Sequence, residues 1–396
     1  MVGCNEDAWR TTARIWFVNA GNTKRYGAGF TGSRYVSAHR IAPQSGMNEA
    51  GLVFSRLSAY YPLQNNPFIN RIKITNEADY LSGILHSCGT IEEVKNYIEQ
   101  YDHSVFINDV FIYIDSTGKY LVVEPYNIIV GDDAYYVLSN FCPSITDNEK
   151  ARKLERYRKG EDFLKAHTIN SSLSFCSALS NEMHVCRNRN GDGTLLTSIW
   201  DTKDKLVNLY FYHSYDSTVQ FSLSEELAKG DTIINIPALF AGNAEFERLT
   251  DYITPFNTPV LRISLVVTGG ILTFFILLYG IYLVRNKKTV ISYKTLVLVS
   301  AMNLLLTAYL FILATNINIY YFDAPYIHYN SNIISASSYI PFLLLFTIVP
   351  FSVFTVNRVN SDKTKWWIKS IIVFNNLVYL LLVAAFAYWG LYSVWS

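Results

Sequence analysis

The sequence lacks an excess of charge of either sign. Its 396 residues include 33 Lys and Arg against 32 Asp and Glu, a formal net charge of +1 at pH 7. Because proteins that bind nucleic acid through its phosphates usually carry a strongly basic surface, the composition predicts no nucleic-acid partner. Internal repeats and low-complexity tracts are also absent from the sequence, so the chain is typical of ordinary folded domains.

Cysteine is scarce, and its spacing excludes the common zinc and redox motifs. The five cysteines are an odd number, and none of them forms a Cys-x-x-Cys pair. We therefore predict no metal site and no cofactor, and interpret most of the thiols as small buried apolar groups. A disulfide between two of them is compatible with an oxidising compartment. The cysteines are Cys4, Cys88, Cys142, Cys176 and Cys186.

One string imitates the start of a calcium-binding loop. Residues 188–193 read Asn-Arg-Asn-Gly-Asp-Gly, yet the twelfth position of that loop is Ile199, where a bidentate glutamate is required. The string is therefore better interpreted as a hairpin turn.

Long hydrophobic runs are present, but only in one part of the chain. Half of the residues (50%) are hydrophobic and the mean hydropathy is +0.15, which is high for a wholly soluble protein. Charged and apolar residues are mixed up to about Phe256, whereas long apolar runs begin after Arg262. We therefore predict a globular domain over residues 1–255, a linker over 256–262 and a membrane domain over 263–396.

Four segments of the second half are long and apolar enough to cross a lipid bilayer, whose hydrocarbon core requires roughly 20 residues of helix. None has an acidic or basic residue in its interior, and four such helices in succession are unusual for a soluble core. The predicted spans are residues 263–284, 295–315, 336–356 and 368–392.

The loops between these segments predict their orientation. Basic residues occur in the first and third loops, whereas the second loop, residues 316–335, has no Lys or Arg. By the positive-inside rule the basic loops are cytoplasmic, so the globular domain and the C-terminus are expected to be extracytoplasmic, either periplasmic or extracellular. The basic residues are Arg285, Lys287, Lys288 and Lys294 in the first loop, and Arg358, Lys363, Lys365 and Lys369 in the third.

Polar residues within the spans are few. Asn303, Asn375 and Asn376 lie at membrane depth, and we interpret them as interhelical hydrogen-bonding groups rather than as a substrate path, because ionisable residues are absent there. Pro341 and Pro350 are expected to kink the third span.

The first half has the pattern of an α+β domain. Runs of β-branched and aromatic residues predict strands over 14–18, 105–114 and 206–212. Helices are predicted after Thr90, which has Glu93 three residues later, and over residues 147–157. Antiparallel strands with helices grouped between them favour layered sheets covered by helices.

Two strings near the start have a known counterpart. Residues 3–7 have the form Gly-x-Asn-x-Asp, and residues 47–52 read Met-Asn-Glu-Ala-Gly-Leu. Four further strings follow in the same order, at residues 84–94, 115–124, 137–140 and 194–201. Together they resemble the choloylglycine hydrolase and linear-amide C–N hydrolase family, which includes penicillin acylases and acyl-CoA:6-aminopenicillanate acyltransferase. The resemblance implies the N-terminal-nucleophile fold, an αββα sandwich.

In that family the nucleophile is a cysteine at the N-terminus of the mature chain. Its thiol attacks the amide carbonyl, while its own α-amine, with a pKa of about 7.7–8.0, takes up the proton. That cysteine begins the strand before the Gly-x-Asn-x-Asp string. The resemblance therefore implies that the first strand and the nucleophile lie upstream of Met1, and that this N-terminally truncated chain is inactive. The predicted extracytoplasmic side of the globular domain also requires an export signal, which we expect in the same upstream segment.

The resemblance also implies site residues. Asp7 matches the aspartate that contacts the nucleophile, Asn140 matches an asparagine that lines the site, and Ser58 stands near the position of a second asparagine. The family's later catalytic arginine corresponds to Arg187 or Arg189, which are candidates for substrate binding. The simpler alternatives are that Asp7 caps a turn and that Asn140 ends a strand.

Cys4 departs from the family pattern, because bile-salt hydrolases have arginine at that position. Loss of this carboxylate-binding group argues against a bile-salt substrate. Cys4 is also disfavoured as the nucleophile, since it lies inside the Gly-x-Asn-x-Asp string rather than at the start of the preceding strand.

The resulting hypothesis is a membrane-anchored cysteine amidase that cleaves a linear amide in a small molecule. The alternative is a catalytically degenerate ligand-binding or sensor domain coupled to the membrane helices. A third possibility is a membrane scaffold with a structural outer domain.

Overall fold

The computed structural model describes residues 1–7, 12–37, 40–186, 193–255, 258–285, 291, 293–320, 332–361 and 365–393. The chain divides into two compact units, with the first ending at Leu249 and the second beginning at Thr250. Helix begins again at Pro259, so part of the expected linker is helical. The boundaries at 255 and 263 stay a prediction.

The strands belong almost entirely to antiparallel sheets of the first unit. They are Val2–Asp7 (β1), Arg14–Val18 (β2), Ala28–Gly32 (β3), Tyr35–Ser37 (β4), Arg40–Ile41 (β5), Ser45–Asn48 (β6), Val53–Ser58 (β7), Ile72–Lys73 (β8), Tyr101–Asp102 (β9), Asp109–Ile114 (β10), Tyr120–Val123 (β11), Ile128–Gly131 (β12), Thr194–Asp201 (β13), Leu206–Phe211 (β14), Val219–Ser222 (β15) and Thr232–Asn235 (β16).

The helices fall into short ones in the first unit and long ones in the second. They are Glu77–Ser87 (α1), Ile91–Ile98 (α2), Asn148–Ala151 (α3), Glu155–Ala166 (α4), Leu173–Glu182 (α5), Leu223–Ala228 (α6), Ala244–Asp251 (α7), Pro259–Arg285 (α8), Tyr293–Thr315 (α9), Asn332–Ser337 (α10), Ile340–Val359 (α11) and Trp366–Tyr388 (α12). Short 3₁₀ turns cover His103–Phe106, Ile236–Leu239 and Ile317–Tyr320.

Two sheets form the middle of the first unit. A small sheet has the order β1-β13-β14-β15, and a large sheet has the order β12-β11-β10-β7-β6-β3-β2-β16. Neighbouring strands in both sheets run antiparallel. Within the described residues β1 lies at an edge of the small sheet, with β13 as its partner.

Helices cover the outer face of each sheet. Helix α5 packs closely on β1: the Asn5 side-chain amide donates to the Ser180 carbonyl oxygen at 2.8 Å, and a Cβ added to Gly3 would lie 2.8 Å from Ser180 Oγ. On the large sheet, α1 and α2 contribute Leu81, Leu85 and Val94 to an apolar cluster with residues of β3, β7, β10 and β11. The order of layers is therefore αββα, and the predicted α+β fold is confirmed.

The inner face of β1 is buried between the sheets and is polar. Because side chains alternate along a strand, Cys4 and Glu6 point to the opposite face from Asn5. The Thr31 hydroxyl donates to Glu6 Oε1, and Ser45 Oγ lies 3.3 Å from the same oxygen. Ser45 also hydrogen-bonds Ser198 of β13 at 3.0 Å, so hydroxyl groups join the two sheets.

Several predicted elements differ in their bounds. The strand expected over 105–114 starts at Asp109, because residues up to Phe106 form a 3₁₀ turn that Asp102 caps. The helix expected over 147–157 is two helices, α3 and α4. The predicted cap at Thr90 is confirmed, since its hydroxyl accepts the backbone N–H of Glu93.

The second unit contains four apolar stretches long enough to cross a membrane, as the hydropathy pattern predicts. Among the described residues they are Pro259–Arg285, Tyr293–Thr315, Asn332–Val359 and Trp366–Tyr388. The third stretch is interrupted between α10 and α11. Pro341 therefore lies in the first turn of α11, where a missing N–H is tolerated, and Pro350 lies inside that helix.

Asparagines join the long helices. Asn303 of α9 donates to Asn375 Oδ1 of α12 at 2.9 Å, and Tyr279 of α8 donates to the same oxygen at 3.1 Å. Ser352 of α11 donates to Asn376 Oδ1 at 3.1 Å. These contacts support the interpretation of the three asparagines as interhelical hydrogen-bonding groups.

Glu6 makes the stability of the first unit depend on pH. Burial raises the pKa of Glu6 from 4.5 to about 7, although hydrogen bonds from Thr31 and Ser45 oppose the shift. Because the folded pKa exceeds the unfolded one, the stabilisation by the bound proton is complete below pH 4.5 and is lost as the pH rises through 7. The loss should reach roughly 3 kcal/mol.

We predict that Glu6→Gln removes the loss of stability that accompanies ionisation of Glu6. The variant should therefore exceed the native chain in stability by the largest margin at pH 8, where Glu6 is mostly ionised. The free energy of opening would be measured by hydrogen–deuterium exchange of β1 and β13 amides in the detergent-solubilised chain, corrected for intrinsic exchange. The exposed Glu225 provides a control as Glu225→Gln. If the free energy of opening depends on pH equally in the native and Glu6→Gln chains, Glu6 is not the source of the pH dependence.

Candidate active site

Three of the residues predicted from the sequence meet around one arginine. Arg156 Nη2 lies 2.7 Å from Asp7 Oδ2 and 2.9 Å from Asp7 Oδ1. Arg156 Nη1 donates to Asn140 Oδ1 at 3.5 Å, and Asn140 Nδ2 donates to the carbonyl oxygen of Ser58 at 2.9 Å. Ser58 thus contributes its backbone rather than its hydroxyl. We call Asp7, Ser58, Asn140 and Arg156 the arginine cluster.

A β-bulge directs Asp7 into this cluster. The register between β1 and β13 shifts between Glu6 and Asp7, and such bulges often re-aim a side chain beside an active site. The Thr194 hydroxyl at the start of β13 donates to Asp7 Oδ1 at 2.8 Å. Asp7 is therefore held by β13 as well as by the arginine.

Arg156 lies in the first turn of α4, facing the sheet. Its side chain is 14% exposed and that of Asp7 is 21% exposed, so the ion pair is largely shielded from water. Within the described residues Arg156 Nε is buried without a hydrogen-bond partner. An unsatisfied buried donor costs about 1–3 kcal/mol, so this N–H is a ready donor for a bound carbonyl group.

A second polar network lies beside the arginine cluster. The Thr197 hydroxyl donates to Asn5 Oδ1 at 2.8 Å and lies 2.7 Å from the Tyr215 hydroxyl. Burial raises the pKa of Tyr215 to about 12, the negative charge of Asp7 acts in the same direction, and Arg156 opposes it. Tyr215 therefore keeps its proton at neutral pH and can act as a hydrogen-bond donor.

The Cys4 thiol is not suited to be a nucleophile. It is buried between the sheets, where it contacts the hydroxyls of Ser45, Ser55 and Ser198, and burial raises its pKa to about 12. Because the thiolate is the nucleophilic form, a thiol with this pKa is inert at neutral pH. Burial likewise raises the pKa of Cys88 and of Cys142 to about 12.

The five cysteines differ in their exposure. Three are buried, as the composition predicts, whereas Cys176 is half-buried and Cys186 is exposed. The interpretation as buried apolar groups therefore holds for Cys4, Cys88 and Cys142 but not for Cys186.

An aromatic cleft adjoins the segments that carry Asn140 and Arg156. It has a volume of about 160 Å³ and is lined by Tyr135, Tyr136, Val137, Tyr157, Glu161, Leu164 and Lys165. A larger cleft of about 340 Å³ lies elsewhere in the first unit, between β2, β16 and α1, and contains none of the predicted site residues. The smaller cleft is therefore better placed to hold part of a substrate.

The sequence predicts two arginines for the site that the structure does not describe, and it does not predict Arg156. Arg187 and Arg189 lie outside the described residues, as does most of the string over 188–193. Arg156 was missed because no local pattern separates it from Arg152 and Arg158 on the same charged stretch. Its role depends on a contact with a strand that lies far away in the sequence.

Comparison with known proteins found similarity only among solved structures. No family model matches the sequence. No curated protein matches it either. A variant of conjugated bile acid hydrolase from Clostridium perfringens matches with 16% identity and a TM-score of 0.46, over 61% of this chain and 93% of that one.

Two further structures match over the same part of the chain. Penicillin V acylase from Agrobacterium tumefaciens has 16% identity and a TM-score of 0.45, over 59% of this chain and 87% of that one. The Caenorhabditis elegans ortholog of N-acylethanolamine-hydrolyzing acid amidase has 14% identity and a TM-score of 0.34, over 59% of this chain and 93% of that one.

The shielded Asp7–Arg156 pair should couple β1 to α4 more strongly than a surface pair couples its elements. We predict a coupling free energy of about 1–3 kcal/mol from a cycle of Asp7→Asn, Arg156→Gln and the double variant. The control is the exposed pair of Arg25 and Glu93, for which we expect less than about 1 kcal/mol. The free energies of opening are measured by hydrogen exchange of β1 and α4 amides for the first pair, and of the amides around Arg25 and Glu93 for the control. Equal coupling free energies in the two pairs would show that the Asp7–Arg156 contact is no stronger than a surface ion pair.

Proposed function

We propose that the first unit is an amidase that cleaves linear amides through a cysteine acyl-enzyme, and that the four long helices anchor it in a membrane. One observation carries the proposal: Asp7, Ser58 and Asn140, chosen from motifs far apart in the sequence, meet around Arg156. A purely structural role for these residues would not require them to converge.

The proposed nucleophile is an N-terminal cysteine on a strand that adds to the edge of β1. The thiol of Cys4 faces the other side of β1 and stays protonated, so it does not serve this role. An added strand at the edge would bring its first residue near Asp7, whose carboxylate stabilises the protonated α-amine.

The reaction then follows from the donors in the cluster. The α-amine takes the thiol proton as sulfur bonds to the amide carbonyl carbon, and the carbonyl oxygen becomes an oxyanion. Asn140 and the Arg156 N–H groups supply hydrogen bonds to that oxygen. The C–N bond breaks as the ammonium returns its proton to the leaving amine. Water then cleaves the thioester, which releases the acid and restores the thiol.

The acyl group is proposed to be uncharged. Cys4 stands where bile-salt hydrolases have arginine, so a group that would bind an anionic substrate is absent. The neighbouring cleft is lined by tyrosine rings and Leu164, which suit an apolar or aromatic acyl chain. Lipid-like amides fit both this cleft and a site near a bilayer.

We also propose that the first unit is extracytoplasmic, with the C-terminus on the same side. The support is the charge of the loops, since Arg285 and Lys294 flank one connection and Arg358 and Lys365 flank another. Protease added to spheroplasts, in which the outer surface of the cytoplasmic membrane is accessible, should digest the first unit; complete protection of that unit while the membrane stays sealed would contradict the orientation.

The experiment is hydrolysis of N-acyl amides by protein purified from its native membrane. We expect activity towards uncharged acyl groups and a fall in kcat of roughly 10²–10³-fold in Asp7→Asn, because the carboxylate that holds the α-amine is lost. Asp79→Asn is the matched control, since Asp79 forms an exposed ion pair with Arg40. Unchanged kcat in Asp7→Asn would exclude the mechanism.

The second candidate is a sensor domain that binds the same amides without cleaving them. It is favoured by the Asp7–Arg156 ion pair, in which the carboxylate proposed to hold the α-amine already has a cationic partner. Intact-mass measurement separates the two candidates. An acyl-thioester adduct that disappears with time supports the amidase, whereas an intact amide that stays bound for hours supports the sensor.

A further inference from the structure

Three metal-binding side chains meet at one end of the small sheet. Each of Cys186, His213 and Glu245 offers one donor atom, and the sulfur, nitrogen and oxygen all lie within 4.8 Å of one another. Cys186 and Glu245 are exposed and His213 is half-buried, so the group is accessible to an ion from solution. We propose that these three residues form a zinc site.

The ends of neighbouring strands position the first two donors. Cys186 forms an antiparallel bridge with Gly193, immediately before β13, and the Thr194 N–H donates to the Val185 carbonyl oxygen at 2.7 Å. His213 follows β14, which pairs with β13. Because the two strands are antiparallel neighbours, the start of β13 and the end of β14 lie side by side.

Aromatic contacts bring the third donor to the same place. The Phe246 ring of α7 lies with its centroid 4.8 Å from that of Phe211 and 5.3 Å from that of Tyr212. The Tyr212 hydroxyl donates to the Glu245 carbonyl oxygen at 3.3 Å. Asn243 caps the helix by accepting the Glu245 N–H at 2.9 Å. The first turn of α7 is thus fixed against the end of β14.

The backbone at His213 adopts a costly conformation. Tyr212 has φ of 50° and His213 has φ of 61°, in the left-handed region that residues with side chains rarely adopt. Each such residue costs of order 1 kcal/mol or more, and strain of this kind is concentrated at functional sites. Here it turns the imidazole towards Cys186 and Glu245 instead of continuing the strand.

The geometry is that of a chelate rather than of a proton relay. In a relay of thiol, imidazole and carboxylate, the ring separates the two outer groups, which use its two different nitrogens. In the present group one donor atom from each residue is close to both of the others. Zinc binds cysteine sulfur at about 2.3 Å and histidine nitrogen or carboxylate oxygen at about 2.0–2.2 Å. Closing the group around an ion requires the three donor atoms, which lie within 4.8 Å of one another, to move closer together.

The competing contact of Glu245 is weak. Arg248 Nη2 lies 3.7 Å from Glu245 Oε1, and the two side chains are 74% and 51% exposed. An exposed pair of this kind contributes about 0–1 kcal/mol, and the carboxylate has a second oxygen for the ion. Three protein ligands also leave a fourth zinc position for water, as in zinc sites that are not purely structural.

The test is zinc binding by the full chain in mild detergent, reduced and stripped of metal with a chelator. Competition with a colorimetric zinc indicator should give one tight site per chain. Cys186→Ser, His213→Gln and Glu245→Gln should each weaken binding by at least about 10-fold, because each removes a ligand. Matched changes elsewhere in the first unit, Cys176→Ser, His167→Gln and Glu225→Gln, should leave the affinity unchanged.

Cobalt provides a readout that reports the thiolate directly. The cobalt-loaded chain should show a thiolate-to-metal charge-transfer band, which Cys186→Ser abolishes and Glu245→Gln retains at higher metal concentration. Cys186→His is the control for misfolding, because it replaces the thiolate by another metal ligand. This variant should still bind metal but should lack the charge-transfer band. The proposal is overturned if the chain binds no zinc, or if the three ligand variants and the three controls bind it equally.

Discussion

The ion pair between Asp7 and Arg156 is the contact on which the arrangement of the first unit depends. It joins the edge strand β1 to helix α4, across a layer boundary of the sandwich. Asn140 shares the same guanidinium and hydrogen-bonds Ser58 at the end of β7, so the pair also connects the small sheet to the large one. Removing either partner would leave a poorly solvated charge, which is why a shielded pair constrains its surroundings more than a surface pair does.

The two faces of β1 have different tasks. The inner face carries Cys4 and Glu6, which join the sheets through hydroxyl groups, and burial raises the pKa of both side chains. The outer face carries Asn5 and Asp7, which contact α5 and α4. Since side chains alternate along a strand, one short segment supports the core with one set of residues and the candidate site with the other. The β-bulge at the end of the strand lies between Glu6, which belongs to the core, and Asp7, which belongs to the candidate site.

Local patterns predicted the architecture better than the site. The α+β class and the four apolar helices follow from alternation and hydropathy, which are properties of neighbouring residues. Asp7 and Asn140 could be selected only through the family resemblance, and Arg156 could not be selected at all, because its partner belongs to a distant strand. The same limit applies to the group around His213: its ligands lie far apart in the chain, so no metal-binding spacing exists to be found.

The central claim is that a linear amide binds at the arginine cluster. It is tested most directly by photoaffinity labelling of the detergent-solubilised chain with an N-acyl amide that carries a diazirine on its acyl chain. The account predicts that mass spectrometry finds the label on peptides from residues 135–165, around Asn140, Arg156 and the tyrosine-lined cleft, and that unlabelled amide competes it away. Competable labelling confined to the larger cleft between β2, β16 and α1, or to the four long helices, would contradict it.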